Sequence, residues 1–406
     1  MARVSTSGIG STPPSWAPAW IEVDLDVLVA NAGVLRRALP DGARLGILVK
    51  ANGYGHGLEM SARAALAGGA DELVVAGLVE GLALREAGID APVLVVYPIL
   101  PSGIVVASAA SLQLTLSSLE RVAPTLDAWS EARSAGAADE MSLHVEVDSG
   151  MGRGGIRPED ISDVVAAIDG TAGAVLAGIW SHLADGRDRR SSEAQLARFD
   201  AAVEHVAATG RTLPARHVVA TEALFSATGP VYELARIGLG FYGELGVGFA
   251  PAPSLATLAA ELRPALTLKA RAVRIESVAQ GDAVGYGGEW VAPRPSRIAT
   301  LPIGYADGWA RTSWPGGSVL VRGRRVPIVG RVSMDSVCVD VTDIDPLDPD
   351  EDFVLLGAQG EERITANEVS VLRGTIPNEV LSSLGARLPR RYVGAPEPER
   401  TRRLDL

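Results

Sequence analysis

LGILVKANGYGHG, residues 45–57, runs from an unbroken apolar stretch into a lysine and then a glycine-rich turn. Leu45–Val49 reads as a β-strand with Lys50 at its C-terminal end. Outward from it, between about residue 20 and residue 245, similar short apolar runs alternate with helical patterns, the rhythm of βα units around a parallel sheet. Eight candidate strands follow: Leu45–Lys50, Leu73–Leu78, Val93–Tyr97, Leu112–Leu116, Leu143–Asp148, Leu176–Ser181, Arg216–Thr221 and the glycine-rich Leu234–Tyr242. Eight such units predict a closed (β/α)8 barrel of the TIM type. Between them, Ser192–Gly210 carries Leu196, Phe199, Val203 and Val206 at three- and four-residue steps, a core-facing helical stripe that Gly210 stops.

Past the proline-rich segment 250–253 the pattern changes. The runs LTLKARAVRIESV (266–278), SVLVRG (318–323) and EDFVLLG (351–357) are β-rich and separated by Gly, Pro and Asp turns. The expected organisation is a flexible leader over residues 1–17, a barrel over 18–261 and a mainly β domain over 262–406. Composition narrows the function classes. A net charge of −12 opposes binding to nucleic acid, and 47% hydrophobic residues promise an ordered core. The single cysteine, Cys338, excludes an internal disulfide framework and a cysteine-rich metal site. No apolar stretch of about 18 residues is free of both charges and turn residues, so no membrane span is expected, and no secretory signal is read at the N-terminus, so a cytoplasmic protein is expected.

A lysine at the C-terminal rim of a barrel strand stands on the face where such folds keep their chemistry. Poor solvation there lowers the pKa of the amine, as attack on an aldehyde cofactor requires. The bland alternative is a strand-end lysine snorkelling to water beside a turn. The full string VKANGYGHG decides between them, because it resembles the cofactor-lysine motif of alanine racemases, and the resemblance extends from about Trp20 to Arg391.

That resemblance implies pyridoxal 5'-phosphate held through Lys50, with Tyr54 donating its hydroxyl to the phosphate. In VDSGMGRGG (147–155), Arg153 takes the place of the arginine that anchors the substrate carboxylate. Many relatives carry a carbamylated lysine where this chain has Glu146, whose carboxylate is expected to support Arg153 instead. In ELARIGLGFYG (233–243), Arg236 matches the arginine that donates to the pyridine nitrogen, and the Gly238 and Leu239 amides match those that face the phosphate. Thr221 matches a phosphate-binding serine; read alone, it is a helix N-cap. His182, in WSHLAD, matches a histidine packed on the cofactor ring.

In the β domain, AVGYGGEW supplies Tyr286, the second catalytic base by resemblance, and LPIGYADGWAR supplies Tyr305. GRVSMDS supplies Met334 and Asp335 at the substrate entrance. In NEVLSSLGARLPR (378–390), Ala386 stands where relatives have a pocket-narrowing tyrosine, which predicts a substrate as large as alanine or somewhat larger. Taken together, the resemblance implies an isomerase that interconverts L- and D-amino acids by two-base proton exchange at Cα. It also implies a homodimer with composite active sites and needs no metal. Two rival functions are a different Cα reaction (decarboxylation, elimination or retro-aldol cleavage) and a non-catalytic pyridoxal phosphate-binding protein.

Overall fold

In the computed structural model, which describes residues 17–348 and 350–394, the eight apolar runs are eight parallel strands. They are β2 (Arg44–Leu48), β3 (Glu72–Val75), β4 (Val93–Val95), β5 (Gln113–Leu116), β6 (Met141–Glu146), β7 (Ala174–Trp180), β8 (Ala215–His217) and β9 (Leu234–Ile237). From β2 to β8 each strand pairs parallel with the next in sequence, and β9 returns to pair with β2. The barrel is nearly closed, and the seam between β8 and β9 is bridged where Arg236 N–H donates to Val219 O at 2.9 Å. The runs are apolar because both faces are covered. Leu73, Val74, Val75, Val93, Leu94 and Val95 are all fully buried, each worth about 1.5–3 kcal/mol relative to exposure.

All of the barrel strands but β5 stop earlier than expected. β2 ends at Leu48, and Lys50 begins a turn. The last expected strand ends at Ile237, after which Leu239–Tyr242 winds into a 3-10 helix. The long helix runs Arg189–Ala207 and buries Leu196, Phe199, Val203 and Val206. It starts three residues before Ser192 because Asp188 caps it, its carboxylate accepting from the Arg190 and Ser191 amides.

The barrel unit comprises residues 28–53 and 58–263; residues 17–27, 54–57 and 264–394 form a second unit. The expected leader lies outside the described residues except for Ala17, which is buried. Ala19–Asp24 (β1), which falls within the span expected as barrel, belongs to the second unit. It pairs antiparallel with β10 (Leu266–Arg271) and parallel with Arg390–Val393. Burial and charge both favour that position: Ile21 and Val23 are fully buried, while Glu22 reaches Lys269 on one neighbour and Arg391 on the other, each at 3.1 Å. The same seven-stranded sheet contains Ser318–Val321, Arg324–Pro327, Asp352–Gln359 and Glu362–Ile364. A three-stranded sheet of Arg274–Val278, Ser296–Leu301 and Val337–Asp340 completes a mainly β unit. Among the described residues no helix is long and apolar enough to cross a membrane.

Candidate functional site

Lys50 opens a turn of left-handed helix. Ala51, Asn52 and Gly53 have φ/ψ of 53/48°, 55/46° and 61/44°, and Tyr54 follows with φ 48°. L-residues resist this conformation by roughly 1–2 kcal/mol each. Several hydrogen bonds offset the cost. Gly53 N–H donates to Val49 O at 2.8 Å, Ala51 N–H to a Glu80 carboxylate oxygen at 2.7 Å, and Leu58 N–H to Asn52 Oδ1 at 3.0 Å. The other Glu80 oxygen accepts Ala76 N–H at 2.8 Å, which ties the turn to the next βα loop. Gly53 is required for space as well as φ, since a Cβ would lie 2.5 Å from Ser61 Oγ.

The amine of Lys50 makes no ion pair or hydrogen bond with any described residue. Burial holds its pKa below the usual lysine range, Arg153 and Arg236 lower it further, and Glu80 opposes them. Arg153 sits exposed in the loop after β6, shaped by Asp148, whose carboxylate accepts the Gly150 and Gly152 amides at 3.0 Å. Its guanidinium is likewise unpaired among the described residues. Glu146 is buried at the end of β6, and burial pushes its carboxyl up to about 7 against the pull of Arg153 and Arg236. It makes no ion pair with Arg153, so the two interact through space alone.

Arg236 is buried on β9. Its Nη1 donates to His217 Nδ1 at 2.6 Å and to His217 O at 2.7 Å, and its Nη2 to Ser181 O at 2.8 Å. The guanidinium carbon lies 4.6 Å from the Trp180 ring centroid. Burial brings its pKa to about 10, opposed by Glu146 and Glu72, so it stays a cation at neutral pH. Nε has no acceptor among the described residues. His182 follows β7, and burial together with Arg236, Arg153 and Lys50 drives its pKa to about 3, leaving a neutral ring. Thr221 is the first residue of the helix Thr221–Phe225, one position inside the cap, Ala220. Its hydroxyl accepts Gly240 N–H at 3.2 Å, and the Gly238 and Leu239 amides beside it have no acceptor among the described residues.

The remaining expected residues lie in the second unit. Tyr54 is buried, and burial raises its phenol to about 12 against a hydrogen bond with Asn378, so it is a donor at neutral pH. Tyr286, 66% exposed, begins a 3-10 turn between Gly285 (φ 80°) and Gly287 (φ 79°). Tyr305 and Met334 are brought together by their backbones: Tyr305 N–H donates to Ser333 O at 3.1 Å and Ala306 N–H to Met334 O at 3.0 Å. That approach needs Gly304, whose Cβ would lie 2.3 Å from both carbonyls. Asp335 pairs with Arg387 at 2.8 Å, and Arg387 also holds buried Asp307 at 3.0 Å. Ala386, next in chain, is exposed. Lys50 and Tyr286 therefore belong to different units.

The barrel cluster suits an anionic aldehyde cofactor. It offers an unpaired amine, two backbone amides without acceptors at the start of the 3-10 helix, a free cationic N–H at Arg236 Nε, and the unpaired guanidinium of Arg153.

The family model described as "Alanine racemase, N-terminal domain" matches residues 23–246, and that described as "Alanine racemase, C-terminal domain" matches residues 265–392. The chain belongs to the alanine racemase family. It is 36% identical to the alanine racemase of Symbiobacterium thermophilum over 93% of this chain and 97% of that protein. It is also 36% identical to alanine racemase 2 of Bacillus subtilis, over 92% and 94%. The crystal structure of the Bacillus anthracis alanine racemase with bound L-Ala-P superposes with a TM-score of 0.85 at 32% identity, covering 95% of this chain and 97% of that one. A histidine racemase from Leuconostoc mesenteroides subsp. sake superposes at 0.82 with 26% identity, covering 95% and 100%.

Around the residues expected from the sequence, the structure of this alanine racemase family member places others. Glu80 staples the lysine turn. Gln195 clamps the His182 loop, donating to His182 O at 3.2 Å and accepting Ala184 N–H at 2.9 Å. Arg387 links two aspartates, and His217 and His144 back Arg236. Of these only Arg387 stands in a stretch that carries the family resemblance, NEVLSSLGARLPR, and nothing there announces its role. Glu80 and Gln195 lie within helical patterns, where polar residues read as solvent-facing.

Proposed function

We propose that this alanine racemase family isomerase carries pyridoxal 5'-phosphate on Lys50 and exchanges the Cα proton of a small amino acid between two faces. The observation that carries the proposal is the Lys50 amine: partly buried, without an ion pair or hydrogen bond among the described residues, and lowered in pKa by desolvation and by Arg153 and Arg236 against Glu80. Bound there, the cofactor supplies delocalisation of the electron pair left when a Cα proton departs.

The chain's own groups do the rest. Lys50 Nζ removes the proton from the D enantiomer and returns one to that face; Tyr286 Oη does the same for the L enantiomer. Arg153 and the Met334 backbone hold the substrate carboxylate, with Tyr305 and Asp335 at the entrance. Tyr54, Thr221 and the Gly238 and Leu239 amides hold the phosphate. His182 packs on the ring as a neutral imidazole, and Glu146 tempers the charge around Arg153. Arg236 would present its Nε–H to the ring nitrogen of the cofactor, and a permanently cationic donor there would disfavour protonation of that nitrogen, which suits a proton swap better than decarboxylation.

The deciding experiment incubates L-alanine with the loaded enzyme in deuterated water. Solvent deuterium at Cα with loss of chirality and no carbon dioxide or aldehyde supports the proposal; product cleavage rejects it.

A second reading concerns the substrate. The exposed methyl of Ala386 stands where relatives have a tyrosine, and a protein of this fold is a histidine racemase, so an amino acid larger than alanine is also a candidate. A chiral screen of the genetically encoded amino acids separates the two, the larger kcat/KM naming the substrate.

Tyr286, Tyr305 and Met334 are 66%, 41% and 53% exposed in the second unit. Their exposure supports a homodimer in which they complete the partner's barrel site.

A further inference from the structure

The interior of a barrel of this kind is normally filled by apolar side chains, yet here a file of polar groups runs back from Arg236. Arg236 Nη1 lies 2.6 Å from His217 Nδ1, His217 Nε2 lies 2.8 Å from His144 Nδ1, and His144 Nε2 lies 3.0 Å from Gln113 Oε1. The four residues come from β9, β8, β6 and β5. Both imidazoles are buried, at 0% and 1% exposure.

Elementary donor counting fixes the direction of every bond. A guanidinium only donates, so His217 Nδ1 must accept. A neutral imidazole has one N–H, which in His217 is then on Nε2 and donates to His144 Nδ1. His144 must in turn carry its hydrogen on Nε2 and donate it to the Gln113 carbonyl. Protonating either ring would break this order, and the surroundings oppose it. Burial, then Arg44 and Arg236, bring His144 to about 3; burial, Arg236, His144 and Arg44 hold His217 well below the usual range.

The arrangement is built into neighbouring strands. Gly178 on β7 is the residue that makes room: a Cβ there would lie 2.2 Å from His144 Nδ1 and 3.0 Å from His217 Nε2. The β6–β7 register shifts between Leu143 and His144, which carries His144 to its place opposite Gly178.

We propose that His144 and Gln113 are positioning residues which, through a single-tautomer relay with His217, hold the Arg236 guanidinium turned so that its Nε is free for the ring nitrogen of the cofactor. This rests on the role given to Arg236 above. Without a terminal acceptor at Gln113, His144 is free to flip its tautomer and present an N–H to His217, and two opposed donors would loosen the guanidinium.

The test labels the histidines with 15N and reads their side-chain signals in the full protein, with and without bound pyridoxal phosphate. His144 and His217 are expected to show a hydrogen on Nε2 and a bare Nδ1, unchanged from about pH 6 to about pH 9. Gln113→Leu is expected to mix the His144 tautomers, shift the absorption band of the bound cofactor, and lower kcat about tenfold with KM within about twofold. Gln113→Glu, which keeps the acceptor, should restore all three. A hydrogen on Nδ1 of either ring overturns the relay, as does a Gln113→Leu protein with unmixed tautomers or unchanged kcat. Because the tautomers are read independently of turnover, failure to racemise any amino acid would reject the proposed function and leave the relay standing.

Discussion

Lys50 is useful because it is left alone. An ammonium paired with a carboxylate would stay charged, whereas this partly buried one has no ion pair among the described residues, and desolvation, Arg153 and Arg236 lower its pKa against the pull of Glu80. Lys50→Ala is expected to lower turnover more than about a thousandfold and to abolish the covalently held chromophore; retention of the chromophore would remove Lys50 from its role. Glu146 makes the opposite case, a carboxyl whose folded-state pKa is raised from 4.5 to about 7 chiefly by burial. A raised folded value means that its contribution to stability is fully present below the unfolded pKa and is lost as pH climbs through about 7. In the cofactor-free protein, Glu146→Gln should therefore gain roughly 1–3 kcal/mol over the parent at pH values above that point. The gain should shrink towards nothing at acid pH. Urea unfolding across this range measures it, and a gain independent of pH would show that the carboxyl is not desolvated.

At the scale of the element, the left-handed turn after β2 decides where the lysine points. The string KANGYG contains the glycines, but nothing in its composition says that Ala51 and Asn52 also take positive φ. Local propensity opposes that conformation, and bonds from Glu80 and Val49 impose it. Gly53→Ala should destabilise the protein by roughly 1–3 kcal/mol through both strain and the clash with Ser61. Pairing it with Ser61→Gly should recover the steric share only. Equal stability of the single variant and the parent in urea would contradict the tight fit. The eight barrel strands were legible as elements because double-sided burial writes an unbroken apolar run. Their C-terminal ends were not, because β2 and β9 stop where the backbone turns away and the residues beyond remain apolar. β1 is not among the runs legible as strands, and its place in a sheet could not be read either. Its partners, β10 and Arg390–Val393, lie more than two hundred residues away in sequence.

For the whole molecule, the two proposed bases, Lys50 and Tyr286, stand in different units, and the proposed composite site makes a measurable demand. Lys50→Ala and Tyr286→Phe proteins, each inactive alone, should regain about one quarter of wild-type activity when unfolded together and refolded in equal amounts, because half the dimers are mixed and each holds one intact site. No recovery would place Lys50 and Tyr286 of a single site on one chain.

The sequence alone determined the barrel, through eight buried apolar runs, and the family, through motifs whose spacing carries the lysine, the arginines and the tyrosines. Those signals survive in one dimension because they depend on residue type along short stretches. Only the tertiary structure decided which charges meet. It left Glu146 buried without an ion pair to Arg153, drew Arg387 between Asp307 and Asp335, and set His144 and His217 end to end behind Arg236. Hydrogen bonds and desolvation act over a few ångströms between residues 30 to 80 positions apart in the chain, as His144 and Gln113, His144 and His217, and Asp307 and Arg387 are. Such distances are created by the closure of the barrel and the pairing of sheets.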